Sequence, residues 1–528
     1  SHILRCNLPP SAQSSAVMTA VSSATSICTV HVGASSVSML IAQQSDDGSV
    51  EPLDFLEQPA PLARDIFRHG RISRETTERI VEILHGFTRA AIEAGASLDK
   101  DSRTAATNIL TEASNHERFL NRIRIACGLS IQPIDDGEMT RLIFLKTRRR
   151  LHDTPPMQRH RAMVLHVGPG NTRALLFEDG TISRYTNYRM GTHRTRESIE
   201  GSDAHGPAML RVIRESASGN IGQLKHDYHD LETDTLVIIG YEIQQISKFL
   251  TDSQNTCTPK QLRKLSEKAA EMSDLELVQH FQIDYQTAEA LVPALETNLA
   301  IAEALDASSL HIPSSDYEQG LLQDLLVSSQ LTDALDQEVL RSARILASRY
   351  QSDPCHGEHV ARISLKIFRE LATLHQLDHH DALILEVSAI LHEIGTFISP
   401  RAHHKHSEYI ILNSEIFGLD RRDISMIALI ARYHRHSGPQ MEHVAYRQLD
   451  VPDRIRVSKI AAIMRVADAL ERTHDQRVDQ IVIRTGRRRL HIALPGLRDV
   501  AVERLAMQTK GDLFEQVFGL EVVIDDPK

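Results

Sequence analysis

The first regular pattern of apolar and polar positions begins at Thr29. In the segment TVHVGASSVSMLIAQQ apolar and polar residues alternate, which predicts two β-strands joined by a turn at Gly33. A longer period follows, with apolar residues three or four positions apart at Ile80, Ile83, Leu84, Phe87 and Ala91. That spacing predicts an amphipathic helix over residues 74–95.

The strand–turn–strand pattern occurs twice. Val30-His31-Val32-Gly33 begins the first copy, and Leu165-His166-Val167-Gly168 begins the second copy 135 positions later. Each copy has a glycine between its strands, where backbone N–H groups can approach a phosphate. The repeat indicates a duplicated unit, and a chance likeness between two ordinary hairpins is the alternative.

Helical periodicity dominates the part of the chain from about residue 325 to residue 475. At a spacing of 3.6 residues one face carries Val360, Ile363, Ile367, Leu371 and Leu374. Thirteen of the 28 histidines fall between His356 and His474. The last fifty residues alternate apolar and polar positions again, around the amphipathic segment KGDLFEQVFG.

These changes of pattern predict four domains after a leader, in keeping with a length of 528 residues. Residues 1–28 are rich in Ser, Ala, Thr and Pro and are expected to be a flexible leader. Residues 29–150 and 151–325 are expected to form two α/β lobes. An all-helical domain at 326–476 and a small α/β domain at 477–528 complete the prediction.

The composition narrows the function classes. A formal net charge of -11 argues against a broad nucleic-acid-binding face, although a local basic cleft can still bind phosphate. The five cysteines are odd in number and form no CxxC pair, which favours a cytoplasmic protein without a disulfide framework. No apolar run approaches the roughly 18 residues of a membrane helix, so no membrane partner is expected.

Several segments carry a family resemblance. IDDGEMTRLIF at 134–144, ATNILTEASN at 106–115 and the tripeptide Arg189-Met190-Gly191 form an eroded N-terminal set. The C-terminal segments HHKHSEYIILNSEIFG, ALIARYHRH, KIAAIMRVADALERTH and KGDLFEQVFG are more specific. Together they resemble the exopolyphosphatase / guanosine pentaphosphate phosphohydrolase family, from about Thr29 to the end of the chain.

The resemblance implies a multi-domain α/β plus α fold. Two actin/hexokinase-type, ribonuclease-H-like lobes would enclose a cleft for the phosphoanhydride. A helical HD-like domain and a small α/β C-terminal domain would follow. It also implies a homodimer, polyphosphate or another phosphate-rich small ligand, and a divalent metal (Mg or Mn) if the protein is active.

The sequence departs from the family pattern in the expected cleft. His31 and His166 stand where the family has carboxylates, and neutral imidazole is a poor Mg²⁺ ligand. Arg173 replaces a glutamate, and Thr111 replaces a phosphate-binding arginine. Pro169 replaces a loop glycine and has no N–H to donate. Little or no turnover in the cleft is therefore one open interpretation.

One catalytic candidate remains in the cleft. Glu138 aligns with the family glutamate that activates water, and a helix N-terminal carboxylate is the alternative interpretation. Phosphate would be held by backbone amides, hydroxyls and arginines, whose forks can bind two oxygens. These candidates are Gly33, Ser35, Ser36, Arg141, Gly168, Gly170, Asn171, Thr172 and Arg173.

A second candidate site lies in the helical domain. By their place in the HD-type motif, His356, His392, Glu393 and Asp468 would hold a divalent metal that acidifies a bound water. Glu393 stands where the usual residue is Asp. Buried helix-bridging pairs are the alternative. The sequence also suggests an extension to a second metal through His406, His434 and His436, with His403 and His404 as solvated loop residues.

Three functional hypotheses remain open at this point. The first is an exopolyphosphatase-type hydrolase that acts through Glu138 in the cleft. The second is a catalytically impaired relative that binds or senses a phosphate-rich ligand. The third is a metal-dependent HD-type phosphohydrolase whose chemistry lies in the helical domain.

Overall fold

The computed structural model describes residues 25–45, 50–96, 102–151, 154–199, 204–231, 235–313, 322, 332–435 and 437–526. Most of the expected leader lies outside these ranges. The first strand begins at Thr25, so the end of the leader at residue 28 was placed too late.

The first lobe contains a five-stranded sheet with the order β3-β2-β1-β4-β5. Its strands are β1 Thr25–Val32, β2 Ser36–Gln44, β3 Val50–Pro59, β4 Ser102–Ala106 and β5 Gln132–Pro133. Its helices are α1 Leu62–His69, α2 Arg74–Glu93, a 3₁₀ turn Asn108–Glu112, α3 His116–Cys127 and α4 Asp136–Leu151. Helix α2 confirms the prediction for residues 74–95, and Ser73 caps it by accepting from the Thr76 N–H.

The second lobe contains a six-stranded sheet with the order β10-β11-β9-β6-β7-β8. Its strands are β6 Arg161–Val167, β7 Thr172–Glu178, β8 Thr181–Tyr188, β9 Thr235–Ile239, β10 Thr256–Cys257 and β11 Ser309–His311. Its helices are α5 Thr192–Ile199, α6 Pro207–Asp227, α7 Tyr241–Gln245, a 3₁₀ turn Ser247–Phe249, α8 Pro259–Ala270, α9 Asp274–Phe281 and α10 Tyr285–Ala304.

The two sheets share one arrangement around their central strands. Strand β1 pairs antiparallel with β2 and parallel with β4, and β6 pairs in the same way with β7 and β9. The hairpin register is also equivalent, since Val32 lies opposite Val37 and Val167 lies opposite Thr172. The duplication and the pair of ribonuclease-H-like lobes are thus confirmed.

The rest of the chain forms a helical domain, followed by a small C-terminal unit that contains both strands and helices. The helices of the helical domain are α11 Thr332–Arg349, α12 Pro354–Glu370, α13 Ala372–His375, α14 His379–Leu391, a 3₁₀ turn Ile394–Phe397, α15 His403–Leu412, α16 Arg421–Tyr433, α17 Val444–Gln448 and α18 Val451–Leu470. The C-terminal unit consists of β12 Val482–Thr485, β13 Arg489–Ala493, α19 Ala501–Lys510, α20 Asp512–Phe518 and β14 Glu521–Ile524. The predicted α/β plus α architecture is confirmed.

Aromatic packing joins the lobes to the helical domain. Phe144 of α4 stacks on Phe177 of β7 with ring centroids 5.9 Å apart, and it meets the edge of Phe417 at 5.4 Å. All three rings are buried. Offset and edge-on aromatic pairs of this kind add about 0.5–1.5 kcal/mol beyond the area that they bury. Helix α4 therefore fixes both lobes against the helical domain.

The C-terminal unit is attached through a buried arginine of α18. Arg465 is fully buried; it donates to the carbonyl oxygens of Lys510 and Thr509 at 3.2 and 3.1 Å and to the Asp512 carboxylate at 2.6 Å. These bonds satisfy the last carbonyls of α19, which have no partner within the helix. The end of α19 is thereby held next to α18.

Two further observations concern the whole described chain. Within the described ranges, none of the helices has the length and apolarity that a bilayer crossing requires. The cysteines of these ranges, Cys28, Cys127, Cys257 and Cys355, are all unbridged thiols.

Candidate functional site

The two histidines of the expected cleft lie beneath their own hairpin glycines. A Cβ atom at Gly33 would lie 3.5 Å from His31 Cε1, and one at Gly168 would lie 3.2 Å from His166 Cε1. Both rings are buried. Burial, with smaller contributions from Arg173 and Lys146, lowers the pKa of His166 to about 3, so this ring is neutral at physiological pH.

One backbone amide in each hairpin turn, that of the glycine, donates within the turn. The Gly33 N–H donates to the Ser36 carbonyl at 2.8 Å, and the Gly168 N–H donates to the Asn171 carbonyl at 3.0 Å. The Gly170 carbonyl accepts from Arg194 Nε at 3.0 Å. A phosphate group that bound the Gly33 or Gly168 N–H would have to compete with these bonds.

The hydroxyl groups proposed for phosphate binding also have protein partners. Ser35 Oγ lies 3.0 Å from His193 Nε2, and Ser36 Oγ donates to Glu57 at 2.7 Å. The fully buried Thr172 donates its hydroxyl to the Met190 carbonyl at 2.7 Å. The predicted phosphate cradle is therefore hydrogen-bonded internally.

Arg173 pairs with a carboxylate rather than facing an open cleft. Its side chain is 3% exposed, and Nη2 donates to Asp136 Oδ1 at 2.5 Å. The same oxygen accepts from Asn108 Nδ2 at 2.6 Å. Thr111, where the family has an arginine, donates its hydroxyl to the Asn108 carbonyl at 2.9 Å. Asp136 thus contacts residues of both lobes. Its carboxylate neutralises the Arg173 guanidinium, which would otherwise be available to a phosphate.

Glu138, the catalytic candidate, accepts a hydrogen bond from the Arg103 guanidinium, and its own N–H donates to Asp135 Oδ1 at 2.6 Å. Both features are those of a carboxylate in the first turn of a helix. Arg141 lies elsewhere, because its side-chain carbons contact Gly418 of the helical domain. A role for Arg141 in phosphate binding stays a prediction.

Further polar contacts hold the two lobes together. Arg194 Nη2 of the second lobe donates to both Glu112 oxygens of the first lobe, at 2.8 and 2.9 Å. Beside Ser35, His193 lies 3.7 Å from Glu242, which accepts from the Thr192 hydroxyl at 3.0 Å. Burial lowers the pKa of His193 to about 4 and raises the pKa of Glu242 to about 7. The His193 ring is therefore neutral at physiological pH.

A different concentration of ligand groups lies in the helical domain, where helix ends converge. His356 is in the first turn of α12, His392 ends α14 and is followed by Glu393, and Asp468 lies near the end of α18. His356, His392 and Asp468 are at most 4% exposed. The four residues that the sequence proposed as metal ligands are thus brought together.

The distances within this group are short. His356 Nε2 and His392 Nε2 lie 3.2 Å apart, and Asp468 Oδ1 lies 3.8 and 3.9 Å from these two atoms. Glu393 Oε2 lies 4.0 Å from His356 Nε2. We call His356 and His392 the first histidine pair. Two nitrogens that bind one cation at about 2.0–2.1 Å lie about 3.0–3.4 Å apart, so the first pair fits a shared cation.

Two more histidines belong to the same cluster. His403, in the first turn of α15, and His434, at the end of α16, face each other with Nε2 atoms 3.1 Å apart. We call them the second histidine pair. His403 Nε2 also lies 4.0 Å from Glu393 Oε1. The groups of possible metal ligands in the described ranges include this pair but not His406, and His436 lies outside those ranges. The expectation that His403 is a solvated loop residue is wrong.

The ring orientations are fixed by backbone carbonyls. The Nδ1–H of His392 donates to the Ala389 carbonyl at 2.7 Å, and that of His434 donates to the Ala431 carbonyl at 2.5 Å. A carbonyl oxygen can only accept, so the proton is on Nδ1 and the lone pair of the neutral ring is on Nε2. Metal-binding histidines in proteins are commonly oriented in this way.

Asp468 has one oxygen for each of two neighbours. Its Oδ2 contacts the Lys510 ammonium from the C-terminal unit, and its Oδ1 faces the first histidine pair. Burial alone would raise the pKa of Asp468, but the neighbouring Lys510 and imidazole groups keep it below its usual value. The carboxylate is therefore ionised. A buried set of imidazole nitrogens and carboxylate oxygens fits a divalent cation of the first transition row.

Comparisons with known proteins place the chain among phosphatases. The Ppx/GppA phosphatase family matches residues 40–329, and Ppx/GppA phosphatase domain III matches residues 340–501. A guanosine-5'-triphosphate,3'-diphosphate pyrophosphatase of Vibrio vulnificus is 22% identical over 411 residues, which cover 77% of this chain and 80% of the relative. The corresponding protein of Aeromonas hydrophila is 24% identical over 393 residues, covering 74% and 76%.

Solved structures with similar folds include an Aquifex aeolicus member of the Ppx/GppA protein family. It has a TM-score of 0.45 and 18% identity, and the match covers 59% of this chain and 99% of that one. An exopolyphosphatase from Cytophaga hutchinsonii has a TM-score of 0.49 and 13% identity, covering 58% and 98%.

Proposed function

The chain belongs to the Ppx/GppA phosphatase family, and from this membership we propose that it is a metal-dependent phosphohydrolase whose hydrolytic centre is the histidine cluster of its helical domain. The substrate class is a phosphate-rich small molecule, inorganic polyphosphate or guanosine pentaphosphate. Support comes from the curated relatives, which are named as guanosine-5'-triphosphate,3'-diphosphate pyrophosphatases.

The proposal depends mainly on the geometry of the first histidine pair and of its neighbouring carboxylates, Asp468 and Glu393. His356 and His392 present their Nε2 atoms to one point, and Asp468 Oδ1 faces both rings. The burial of these groups is costly unless a partner compensates them, which is typical of a site built for a ligand. A bound divalent cation would neutralise phosphoryl charge and make water more acidic.

The roles of the chain's own residues follow from the geometry. The Ala389 carbonyl holds His392 in the tautomer that leaves Nε2 unprotonated. Lys510 keeps Asp468 ionised. His474 stacks on His356 with ring centroids 3.6 Å apart and so restricts rotation of that ring. Each contact limits movement of a ligand group, and such restriction is what a precise hydrolytic site requires.

The interlobe cleft is the weaker candidate for the same reaction. Arg173 is paired with Asp136, and Glu138 is paired with Arg103. Hydrolysis of a phosphoanhydride needs groups that neutralise charge and a base that can reach water. Here those groups already neutralise one another. We therefore assign the lobes a scaffolding role, and we treat ligand binding without hydrolysis as an outcome that the test must detect.

The test measures phosphate release from long-chain polyphosphate and from guanosine pentaphosphate with added Mn²⁺ or Mg²⁺. We expect His392→Ala to lower release at least 100-fold, while Glu138→Ala changes it less than twofold. His406→Ala, a histidine of the same domain outside the cluster, is the matched control. If only Glu138→Ala abolishes release, the chemistry lies in the cleft and the proposal fails.

A native chain that binds polyphosphate but releases no phosphate would also refute the proposal. Binding is measured separately, by the co-elution of radiolabelled polyphosphate with the purified protein. That result would identify the chain as a phosphate-binding relative without hydrolytic activity.

A further inference from the structure

A cavity of about 720 Å³ lies between the second lobe and the helical domain. Its walls are the edge strand β8, the second half of α6, the last turns of α11 and the loop that follows α15. Within the described ranges, neither the histidine cluster nor the two hairpin turns contribute to its lining. Cavities of about 300–1,000 Å³ are the size in which proteins bind small organic ligands. This one has room for a nucleotide.

Two arginines of the cavity keep guanidinium groups that are available to an anion. Arg349, in the last turn of α11, is exposed and forms no ion pair with another described residue. Arg189 lies 3.7 Å from Glu112, whose two oxygens already accept from another arginine. Arg184, by contrast, donates to both oxygens of Asp230 at 2.8 and 3.0 Å. Two available guanidinium groups suit one phosphate group better than a long phosphate chain.

The two carboxylates that line the cavity already accept hydrogen bonds from the protein. Asp227 accepts from the Tyr188 hydroxyl and from Gln223 Nε2, both at 2.7 Å. Glu415 accepts from the Asn187 N–H at 2.5 Å. These donors partly offset the negative charge, so the carboxylates repel a bound anion less than unpaired ones would.

Carboxamide groups are the second feature of the lining. Four of them face one cavity, from Asn187, Asn220, Gln223 and Asn413. A carboxamide offers an N–H donor beside an acceptor oxygen, and this combination matches the N6 amino group and N7 of adenine. The side-chain oxygen of Asn187 is buried and accepts from no donor in the described part of the chain. An amino group of a ligand would satisfy that acceptor.

An aromatic ring completes the lining. Tyr350 follows α11, and its ring is held by an edge-on contact with Phe397, with ring centroids 5.3 Å apart. Nucleobases stack on aromatic rings of this kind irrespective of their sequence identity. The cavity thus combines groups for a phosphate, for a polar base edge and for the face of a base.

We propose that this cavity binds an adenine nucleoside monophosphate, with the phosphate at Arg349 and Arg189 and the base at the carboxamides and Tyr350. The walls come from two domains, because β8 and α6 belong to the second lobe and α11 to the helical domain. The bound nucleotide therefore holds these two domains together. It is an effector and not a substrate, since the cavity lies apart from the proposed hydrolytic centre.

The experiment uses adenosine 5′-monophosphate (AMP) and the full chain, without added metal or polyphosphate. Isothermal titration calorimetry compares AMP with adenosine, which lacks the phosphate. We expect AMP to bind the native chain about tenfold more tightly than adenosine. Arg349→Ala should remove most of this difference, and Asn220→Ala should weaken both ligands about fivefold. Arg341→Ala, an exposed arginine of α11 outside the lining, is the matched control and should bind AMP like the native chain.

Hydrogen exchange measured by mass spectrometry locates the ligand. Saturating AMP should slow exchange over residues 183–189, 220–229 and 342–350, which form facing walls of the cavity. No binding at about 5 mM AMP, or equal binding of AMP and adenosine to the native chain, would overturn the proposal. Displacement of AMP by tripolyphosphate would also overturn it, because the cavity would then accept a phosphate chain.

Phosphate release separates this inference from the proposed function. Without AMP, Arg349→Ala should release phosphate at the native rate, and a large loss would place Arg349 in the hydrolytic centre and contradict the effector role. Binding of AMP is measured without hydrolysis, so it stands or fails independently of that centre. Circular dichroism checks each variant, and Arg349→Gln replaces Arg349→Ala if the latter does not fold.

Discussion

The Lys510 ammonium contacts Oδ2 of Asp468 while Oδ1 of the same carboxylate faces the first histidine pair. The two residues come from different structural units, since Asp468 lies in α18 and Lys510 ends α19. The lysine is therefore an internal counter-ion for a carboxylate that the proposed cation also needs. Asp468 connects the end of the chain to the candidate metal site.

Replacing this counter-ion should tighten cation binding. Two unit charges about 5 Å apart at an effective dielectric constant of about 20 interact by roughly 3 kcal/mol, which exceeds the usual gain from orienting one ligand. We expect Lys510→Met to raise the affinity for Mn²⁺ at least tenfold and to lower the melting temperature of the metal-free protein. Competition with a fluorescent chelator measures the affinity.

Lys405→Met, at an exposed position of α15, is the matched control and should change neither quantity. If Lys510→Met instead weakens Mn²⁺ binding, the lysine acts mainly by orienting Asp468.

The buried arginine of α18 should govern the attachment of the C-terminal unit. Arg465→Leu leaves the Lys510 and Thr509 carbonyls and the Asp512 carboxylate without their donor. Of these three acceptor residues only Lys510 is buried, and an unpaired buried polar group costs about 1–3 kcal/mol. We expect faster hydrogen exchange over residues 501–518, measured by mass spectrometry. Arg504→Ala, a partly exposed arginine of α19, should leave exchange in α20 unchanged. Equal protection in native and Arg465→Leu chains would contradict this role.

The pairing of Arg173 with Asp136 can be tested by a double-mutant cycle. Asp136→Ala leaves a buried guanidinium uncompensated, and we expect it to lower the free energy of unfolding by about 3 kcal/mol. Adding Arg173→Met should recover at least half of this loss, because no unpaired charge remains. Urea unfolding followed by circular dichroism measures both, with the exposed Glu117→Ala as control. Additive losses would show that the pair does not interact.

Glu242 should make stability depend on pH. Its carboxyl is 3% exposed, and burial raises its pKa from 4.5 to about 7, with Asp284 adding to the rise. The folded state therefore holds a proton that the unfolded state releases above about pH 4.5. Stability is lost as pH rises from about 4.5 to about 7, by roughly 3 kcal/mol in total.

Glu242→Gln, a neutral group of the same shape, should therefore raise the melting temperature at pH 8 and change it little at pH 4.5. The exposed Glu267→Gln on α8 is the control. An equal effect at both pH values would mean that the Glu242 carboxyl does not titrate in this range.

Local patterns were enough to predict the duplicated hairpins and the helix at Arg74–Glu93. Alternation and 3.6-residue spacing are properties of neighbouring positions, and both patterns are strong in these segments. The proposed ligands His392 and Asp468 were instead identified from the resemblance to the HD-type motif, and the structure places them at the ends of buried helices. The structure brings them together as expected.

The remaining parts of the site depend on contacts between distant segments. The sequence suggested His406 and His436 rather than His403 beside His434, because nothing local distinguishes one of several histidines in a short polar stretch. Its identity depends on how α15 packs against α16, which brings positions 31 apart in the chain into contact. The pairing of Arg173 with Asp136 also joins positions 37 apart in the chain, so no local pattern could predict it.

During protein synthesis Lys510 is added to the chain later than Asp468, the residue that it contacts in the folded protein. Lys510 follows Asp468 by 42 positions, so at about 5–20 residues per second a ribosome adds it roughly 2–8 s later. Throughout that interval the nascent chain contains both histidine pairs, Glu393 and Asp468 but not the lysine that neutralises Asp468. A cation that reaches these ligands before Lys510 packs against Asp468 has no competing ammonium, whereas one that meets the folded protein does.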